Sequence, residues 1–449
     1  MTQKIVVGLD IGTTKICSIV GRLNEHNKLE VLGVGKRPSD GGVTRGVVTN
    51  INKTVDAIIH SVKQAEEISN VDIQNVHVGI AGSHIKSFQH SGMLIRQDVE
   101  SEITQSDLNK LEEDMYRTAV QPGDKILHVL PQDYTVDGEP NISDPIGMAG
   151  IRLEGNFHII TGQISAVKNI NRCVQRSDYQ IAGITLEPLA SASAVLSPEE
   201  LEAGVALVDI GGGTTDVAIF HENIIRHSAV IPYGGDIITK DIKEGCSVMQ
   251  SHAELLKIKA GSCLAELTNE NEIITIPGIR GRDPKEISVK NLARIIEARM
   301  SEILNLVYYH IKASNMEKKL TCGIVLTGGG AMMKNIIQLC ELTTGLDTRM
   351  GYPNEHLANS FSDDLKSPIY ATAVGLVLRG YQDNLQFDNN HKIIEQVEVE
   401  QETIPQEEEE KNDGKKKRPK SNFFNTIGIN LKEWLKDETD IQDFDDINK

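Results

Sequence analysis

The sequence repeats one short pattern, and this repeat limits the possible folds more than any other feature. An apolar strand ends at an aspartate, turns through glycine and threonine, and continues as a second strand. The pattern covers residues 5–20 and returns about two hundred residues later, at residues 205–220. Two such hairpins predict two related α/β domains that face each other across a cleft. A chain of 449 residues has room for both.

Both turns carry residue types that suit phosphate. Glycine lets backbone N–H groups come close to phosphate oxygens, and threonine hydroxyls add further donors. Lys15 adds a positive charge, while Asp10 and Asp209 end their strands, where they can hold Mg²⁺ through its water ligands. One such pattern is also compatible with a plain hairpin turn, but two copies favour a triphosphate held from both sides. The predicted nucleotide contacts are Asp10, Gly12, Thr13, Thr14 and Lys15 in the first hairpin, Asp209, Gly211, Gly212, Gly213, Thr214 and Thr215 in the second, and Gly234 and Gly235 beyond it.

A third glycine turn and a charged pair complete the predicted site. Residues 324–331 form an apolar strand that leads through Gly328, Gly329 and Gly330 into a helix expected from Met332. Such a turn lets the backbone lie against the base and the α-phosphate, near a helix N-terminus. Glu254 and Lys257 share one face of a predicted helix, where they are candidates to bind the ribose hydroxyls. Their spacing is also typical of a surface ion pair.

Two other nucleotide folds are excluded by the same residues. The Walker pattern G-x-x-x-x-G-K-[ST] is absent, since Lys15 follows two threonines and precedes Ile16. A dinucleotide fingerprint opens a helix, whereas both turns here lead into β-type runs. Strands and helices alternate along the rest of the body, as in α/β packing. Helices are predicted over residues 47–69, 101–119 (capped by Thr104 with Asp107), 292–311 and 334–342, and a buried strand over residues 76–81.

Composition argues against several kinds of site, partner and location. The six cysteines are scattered without a C-x-x-C pair, which favours buried free thiols over a zinc site or a disulfide framework. The net charge of −18 argues against a nucleic-acid partner. No apolar stretch approaches about 20 residues, and the N-terminus lacks the basic start and apolar core of a signal peptide. The chain is therefore expected to begin in the cytoplasm.

The C-terminal part differs in character from the rest. Residues 388–420 are polar and charged, acidic first and then basic, which predicts a disordered linker. Residues 421–437 predict an amphipathic helix of the kind that lies in a bilayer interface, although docking on a partner protein is an alternative. Residues 438–449 form an acidic tail that anionic lipid would repel. The predicted membrane contacts, which share one face of the helix, are Phe423, Phe424, Ile427, Leu431, Trp434 and Leu435.

Taken in order, these segments resemble the actin, Hsp70 and sugar-kinase superfamily. Residues 10–15 and 209–216 resemble its two phosphate motifs, and residues 326–331 resemble its adenosine motif. Residues 187–190 and 371–375 resemble the two connecting helices at which its domains hinge.

A narrower resemblance is to one family within that superfamily, the bacterial cell-division protein FtsA. It lies in Ile-Ala-Gly-Ser-His-Ile at residues 80–85 and in residues 144–154, which in that family belong to a family-specific inserted subdomain. The resemblance implies an actin-like α/β fold, with two duplicated domains around a nucleotide cleft and the insertion added. The implied division is domain 1A at residues 1–83, 164–197 and 360–387, inserted subdomain 1C at 84–163, domain 2A at 198–224 and 300–359, and subdomain 2B at 225–299.

The same resemblance implies a function. It predicts ATP with Mg²⁺ in the cleft, self-assembly into actin-like filaments, and tethering of the tubulin-like protein FtsZ to the cytoplasmic face of the inner membrane at the division site, together with other division proteins. Glu187 matches a position near the water-orienting acid or amide of superfamily enzymes, and ATP hydrolysis is expected to be slow or absent. Arg294 and Arg299 are the implied contacts for carboxylates of the FtsZ tail, although both are also compatible with plain exposed helix charges.

A pilus-assembly or chaperone-type relative is disfavoured by the Ser-His-Ile insertion, so the main alternative is a small-molecule kinase of the same superfamily. Such a kinase needs a base, usually an aspartate in the cleft, to deprotonate a substrate hydroxyl. The sequence offers no unassigned candidate with a clear substrate signal, and a kinase has no use for a terminal amphipathic helix.

Overall fold

The structure, a computed structural model, describes residues 4–96, 101–278, 283–358 and 363–382. These residues all fall within one unit, Met1–Asn389. The linker at 388–420, the amphipathic helix at 421–437 with its membrane contacts, and the acidic tail at 438–449 lie outside the described residues and stay predictions.

The first hairpin lies at the centre of a five-stranded sheet. β1 (Val6–Ile11) pairs antiparallel with β2 (Lys15–Leu23), so that Asp10 lies opposite Cys17. The next elements are β3 Leu29–Pro38, β4 Val43–Thr44, β5 Val47–Val48, α1 Ile51–Ser69, β6 Asn75–Ile80, β7 Lys86–Ile95, α2 Gln105–Tyr116, β8 Asp124–Val136, β9 Glu139–Ile142, β10 Arg152–Gln163, α3 Ile164–Arg176, β11 Gln180–Leu186, α4 Glu187–Val195 and α5 Pro198–Ala203. The sheet order is β11-β6-β1-β2-β3, and β1 is buried along its whole length, as its apolar run predicts.

The second hairpin repeats this arrangement. β12 (Val205–Ile210) pairs antiparallel with β13 (Thr215–His221), so that Asp209 lies opposite Asp216. The elements that follow are β14 Ile224–Ile231, α6 Gly235–Gly245, α7 Gln250–Ala260, β15 Ile273–Ile276, β16 Lys285–Ser288, α8 Val289–Ala313, β17 Ile324–Thr327, α9 Ile336–Thr344, β18 Thr348–Met350 and α10 at residues 371–382. The second sheet has the order β14-β13-β12-β17-β18, and the first sheet, written from its other edge, has the order β3-β2-β1-β6-β11. Each strand corresponds to the one in the same place of the other sheet, and corresponding pairs are antiparallel or parallel in the same way. The predicted duplication is confirmed.

A further sheet is built from residues between β6 and α3. Its strands pair antiparallel in the order β7-β10-β8-β9, and α2 packs against it around a separate apolar core. The sheet lies within the predicted insertion at 84–163, although the predicted domain boundaries stay predictions. Its side chains reach β14 in the second half of the chain. Gln132 Nε2 donates to the Ile225 carbonyl at 2.8 Å, and Ser87 Oγ donates to the Ser228 carbonyl at 2.9 Å.

Several helix starts follow local signals. α2 begins after Thr104, and Asp107 closes the predicted capping box by accepting from the Thr104 N–H at 3.0 Å. α1 begins at Ile51 rather than at residue 47, because residues 47 and 48 pair with β4 and Asn50 caps the helix by accepting from the Lys53 N–H. None of the helices in the described ranges is both long and apolar enough to cross a bilayer.

The helix predicted from Met332 begins later than expected. Gly330–Met332 form a single 3₁₀ turn, Met333 is extended, and α9 starts only at Ile336. The reason is a tertiary contact, since the Cys263 N–H donates to the Lys334 carbonyl at 2.8 Å. That hydrogen bond belongs to a bridge between Ser262 and Lys334, and it holds the backbone in an extended conformation that the local apolar pattern does not reveal.

Candidate nucleotide-binding cleft

A cavity of about 810 Å³ opens between the two hairpin turns. Thr215 and Gly234 are the predicted contacts that do not line it. Thr215 Oγ1 instead donates to the Tyr233 carbonyl at 2.8 Å, and a Cβ at Gly234 would lie 2.6 Å from the Gly211 carbonyl oxygen. Both residues therefore support the second turn from behind. The predicted residues that do line the cavity are Asp10, Gly12, Thr13, Thr14, Lys15, Glu187, Asp209, Gly211, Gly212, Gly213, Thr214, Gly235, Glu254, Lys257, Gly328, Gly329 and Gly330.

The two turns are closed by the same hydrogen bond. The Gly12 N–H donates to the Lys15 carbonyl at 3.1 Å, and the Gly211 N–H donates to the Thr214 carbonyl at 2.9 Å. Glycine is required in the first turn because a Cβ at Gly12 would lie 2.8 Å from the Lys15 carbonyl oxygen. The duplication therefore extends from the sheet topology to the hydrogen bonding of the turns.

The turns meet directly across the cleft. A Cβ at Gly212 would lie 2.0 Å from Thr14 Oγ1, and a Cβ at Gly213 would lie 2.6 Å from Thr13 Oγ1. Both separations are below 3.0 Å, so a side chain at either position would force the facing threonine or its turn to shift. The backbone of one turn thus faces the hydroxyl groups of the other, and both line the same cavity.

Four carboxyl groups beside the turns are electrostatically coupled. Burial raises the pKa of Asp10 to about 6, against the opposing effect of Lys15. Burial and the nearby Asp209 raise the pKa of Asp216 to about 8. Burial, with the charges of the three aspartates, also raises the pKa of Glu187 well above its ordinary value. The cluster is therefore short of positive charge, which a bound cation would supply.

The two carboxylate oxygens of Asp209 have different surroundings. Ser191 Oγ on α4 donates to Asp209 Oδ2 at 2.7 Å, and Thr372 Oγ1 on α10 donates to the same oxygen at 3.3 Å. On the other side a Cβ at Gly328 would lie 2.2 Å from Asp209 Oδ1, so the third glycine turn can approach only without a side chain. Burial raises the pKa of Asp209, and the two hydroxyl hydrogen bonds oppose that rise.

The carboxylates fit a hydrated Mg²⁺. Asp216 Oδ1 is buried without a hydrogen-bond partner, so it has an open place for a donor such as a metal-bound water. In the part of the chain that the structure describes, no three His, Cys, Asp or Glu side chains are arranged to bind a metal directly. Mg²⁺ usually keeps several waters and takes other ligands from phosphate. Asp10, Asp209 and Asp216 would hold the ion through water, and its charge would offset theirs.

This cluster makes stability depend on pH. The pKa of Asp216 in the folded protein is about 8, above its ordinary 3.8, so the folded state binds that proton more tightly. Without nucleotide, the free energy of unfolding should therefore fall as the pH rises between these two values. We expect Asp216→Asn to remove the part of this fall that Asp216 causes, so that the variant is more stable than the wild type by at least about 2 kcal/mol at the upper pH.

Chemical denaturation at a series of pH values measures the effect of Asp216→Asn. Asp56→Asn, at a side chain that is 65% exposed, is the matched control and should follow the wild type. If the free energy of unfolding changes with pH in the same way in Asp216→Asn and in the wild type, ionising Asp216 costs no free energy in the folded protein.

Lys15 lies against the segment that leads into α10. Its Nζ donates to the Ile369 carbonyl at 2.9 Å and lies 3.9 Å from the centroid of the Tyr370 ring. Burial lowers the pKa of Lys15. The ammonium group lines the cavity but already has partners, so its predicted contact with a phosphate stays a prediction.

Glu254 and Lys257 form a partly buried pair on α7. Lys257 Nζ lies 2.8 Å from Glu254 Oε2 and also donates to the Gly235 carbonyl at 3.0 Å and to Thr239 Oγ1 at 2.8 Å. The Lys257 side chain is only 10% exposed, whereas the Glu254 side chain is 40% exposed, so the lysine end of the pair is buried and the carboxylate end is partly in solvent. The predicted contact with ribose remains open, and Gly235 joins the pair to the second turn, because its N–H donates to the Gly211 carbonyl.

Three residues that contribute to the site were not predicted as contacts. Asp216 ends the second motif, and its position opposite Asp209 follows from the hairpin register, which was a usable signal. Ser191 and Thr372 lie in the connecting-helix segments, and no local pattern marks their hydroxyl groups as partners of Asp209.

The arginines implied for FtsZ binding lie on α8, outside the cavity. Arg294 is exposed and its closest polar contact is Asn291 Oδ1 at 3.4 Å. Arg299 Nε donates to Asp241 Oδ2 at 2.6 Å, so its guanidinium already has a carboxylate partner. Neither position is tested as a partner contact, and both stay predictions.

The duplicated sheets, the facing turns and the inserted sheet define an actin-like protein. A solved structure described as the PilM-PilN type IV pilus biogenesis complex shares this fold, with a TM-score of 0.60 at 14% identity over 84% of this chain and 98% of that chain.

Sequence comparison identifies the family. The cell division protein FtsA of Pseudomonas aeruginosa is 39% identical over 84% of this chain and 90% of its own length. The protein of the same description in Escherichia coli K12 is 33% identical over 85% and 92%. Residues 206–375 match the family described as Cell division protein FtsA, and residues 82–161 match the SHS2 domain inserted in FTSA. The chain belongs to the FtsA family of cell division proteins.

Proposed function

We propose that this protein is an ATP-binding, filament-forming cell-division protein that tethers FtsZ to the cytoplasmic face of the inner membrane through a C-terminal amphipathic helix. The observation that carries the proposal is the pair of glycine turns that meet across the cleft beside four carboxylates. Membership of the FtsA family supports the division role. The residue pattern at 421–437 supports the membrane contact.

The cleft is proposed to bind ATP with Mg²⁺. Backbone donors of the two turns would hold the phosphates, and Asp10, Asp209 and Asp216 would hold the hydrated ion through its waters. The third glycine turn and the pair formed by Glu254 and Lys257 would contact the base and the ribose. Bound Mg²⁺ supplies charge that lets the carboxylates ionise together, which the pKa values of the metal-free cleft oppose.

ATP turnover is proposed to be slow. The resemblance to the FtsA family implies slow or absent hydrolysis, with Glu187 as the candidate to orient the attacking water. Burial and the charges of three aspartates raise the pKa of Glu187 well above its ordinary value, which opposes its ionisation in the metal-free cleft. Turnover should lie far below the 1–100 s⁻¹ typical of kinases, and sugars or polyols should not accelerate it.

Co-sedimentation with anionic lipid vesicles tests the proposal as a whole. The full chain should bring FtsZ down with the vesicles when ATP and Mg²⁺ are present, since many weak membrane contacts in a filament add up. A chain truncated before residue 421 should stay in the supernatant while still binding ATP. Recovery of FtsZ on vesicles with the truncated chain, or its absence with the full chain, would contradict the tethering role.

A single substitution in the predicted terminal helix separates membrane binding from nucleotide binding. Trp434→Glu places a charge on the apolar face, and burying that charge in the acyl boundary should cost several kcal/mol of membrane affinity. Asn425→Glu adds the same charge on the opposite face and is the matched control, with at most a small loss. Removing the acidic residues 438–449 should instead strengthen binding to anionic vesicles, most clearly at low salt.

Fluorescence of Trp434, the only tryptophan in the chain, reports on the same helix. Its emission should shift to the blue when vesicles are added. An emission that does not change at saturating lipid, but shifts with a partner protein, would identify the segment as a protein-docking helix.

A further inference from the structure

We propose that Ser191 and Thr372 are positioning residues for Asp209, which orient its carboxylate toward the water shell of a nucleotide-bound Mg²⁺. The inference rests on the proposed nucleotide function and goes beyond it, because neither hydroxyl belongs to a turn that would contact phosphate. It also links the orientation of one carboxylate to the two helices that connect the domains.

The three side chains form a closed triangle of hydrogen bonds. Ser191 Oγ donates to Asp209 Oδ2 at 2.7 Å, the Ser191 and Thr372 oxygens lie 3.0 Å apart, and Thr372 Oγ1 lies 3.3 Å from Asp209 Oδ2. Each hydroxyl has one proton to donate. Ser191 uses its proton on Asp209, and Thr372 shares its own between Ser191 and Asp209. Asp209 Oδ2 and the two hydroxyl groups therefore keep all of these hydrogen bonds only when both hydroxyls are present.

The surroundings leave Asp209 little other freedom. Ser191 is completely buried, and Asp209 is 8% exposed. The other carboxylate oxygen, Oδ1, lies against the backbone at Gly328, where a Cβ would approach to 2.2 Å. Without the hydroxyl partners, Oδ2 would lose the contacts that fix the rotation of the carboxylate about its Cβ–Cγ bond.

The hydroxyls come from two different helices that cross close to them. A Cβ at Gly375 on α10 would lie 1.8 Å from the carbonyl oxygen of Ala190 on α4. Ser191 follows Ala190 directly, and Thr372 lies within one turn of Gly375. Any change in the angle between these helices therefore moves both hydroxyls relative to Asp209, which is on β12. The geometry makes the carboxylate sensitive to how the two halves of the chain are arranged.

The test uses the full chain, ATP and a Mg²⁺ titration monitored by calorimetry. The double variant Ser191→Ala with Thr372→Val removes both hydroxyls and keeps the volume of the threonine. Partners of residues that bind a metal directly are typically worth about 10–100-fold in metal affinity. Because Asp209 would reach the ion through water, we expect the lower end of that range, a rise of about tenfold in the Mg²⁺ concentration needed for tight ATP binding. In EDTA, which removes free Mg²⁺, the affinity of the double variant for ATP should stay at the wild-type value. A general packing defect would lower that affinity as well.

Three further variants make the result specific. Thr372→Ser keeps the hydroxyl and should restore the wild-type Mg²⁺ dependence. Ser193→Ala, on the same helix, removes a hydroxyl that donates only to the Leu189 carbonyl, and it should behave as the wild type. Thr372→Val alone is the fallback if thermal unfolding shows that the double variant is destabilised, and it should give an intermediate shift.

Two outcomes separate this inference from the function on which it rests. A wild-type protein that binds ATP with a clear Mg²⁺ dependence, together with an unchanged double variant, would overturn the positioning role alone. A wild-type protein that does not bind ATP at any Mg²⁺ concentration would overturn the proposed function and this inference with it.

Discussion

Replacing Gly212 with valine is expected to abolish ATP binding. A Cβ at this position would lie 2.0 Å from Thr14 Oγ1 and 3.5 Å from Asp236 Oδ1, so the two turns must separate to accommodate it. Overpacking costs about 1–3 kcal/mol, which corresponds to roughly five- to 140-fold in affinity at 1.4 kcal/mol per factor of ten. Displacement of the proposed phosphate donors adds to this loss. We therefore expect no binding by calorimetry at ATP concentrations that saturate the wild type.

A double-mutant cycle shows whether the contact between the turns is the cause. Gly212→Ala should weaken ATP binding, whereas Gly212→Ala combined with Thr14→Ala removes the colliding oxygen and leaves the Thr14 Cβ at 3.4 Å. The double variant should then bind ATP as well as Thr14→Ala alone does. Wild-type affinity in Gly212→Val, with an unchanged melting temperature, would mean that the second turn is structural and does not hold phosphate.

Gly375→Ala is expected to cause the largest loss of stability. The new Cβ would lie 1.8 Å from the Ala190 carbonyl oxygen, and because that atom belongs to the backbone of α4, a whole helix must move. Alanine is a better helix former than glycine by about 1 kcal/mol, so the substitution would stabilise an isolated α10. In the folded protein the clash with α4 should outweigh this gain and lower the free energy of unfolding by at least about 2 kcal/mol.

The matched control for Gly375→Ala is Gly245→Ala on α6. Its Cβ would meet Ile295 Cδ1 at 2.7 Å, the far end of a flexible side chain that can turn away. Chemical denaturation should therefore find Gly245→Ala near the wild type or above it. If Gly375→Ala is as stable as this control, the two connecting helices can separate freely and do not form a fixed crossing.

The parts of the fold that sequence patterns predicted are those fixed by local rules. The apolar runs ending at Asp10 and Asp209 predict strands, and both runs form strands that pair with the strand after the turn. The start of α2 is set by Thr104 and Asp107, both within its first turn. These signals depend only on residues that are close in sequence, so distant contacts in the fold do not change them.

The features that the sequence did not reveal depend on distant contacts. The extended backbone before α9 is held by a hydrogen bond from Cys263 to Lys334, 71 residues away along the chain. The partners of Asp209 come from Ser191 and Thr372, which are 181 residues apart. Neither arrangement has a local signature, since a serine or threonine in a buried helix is compatible with many roles.

The hydrogen bonds from the inserted sheet to β14 have a consequence for the solubility of the protein. β14 is an edge strand of the second sheet, and an open edge offers unpaired carbonyl and N–H groups to strands of other molecules. Gln132 and Ser87 occupy the carbonyls of Ile225 and Ser228, so part of that edge is blocked by side chains rather than by another strand. A chain cut to remove the insertion would uncover this edge. The insertion thus protects the second half of the molecule against edge-to-edge aggregation.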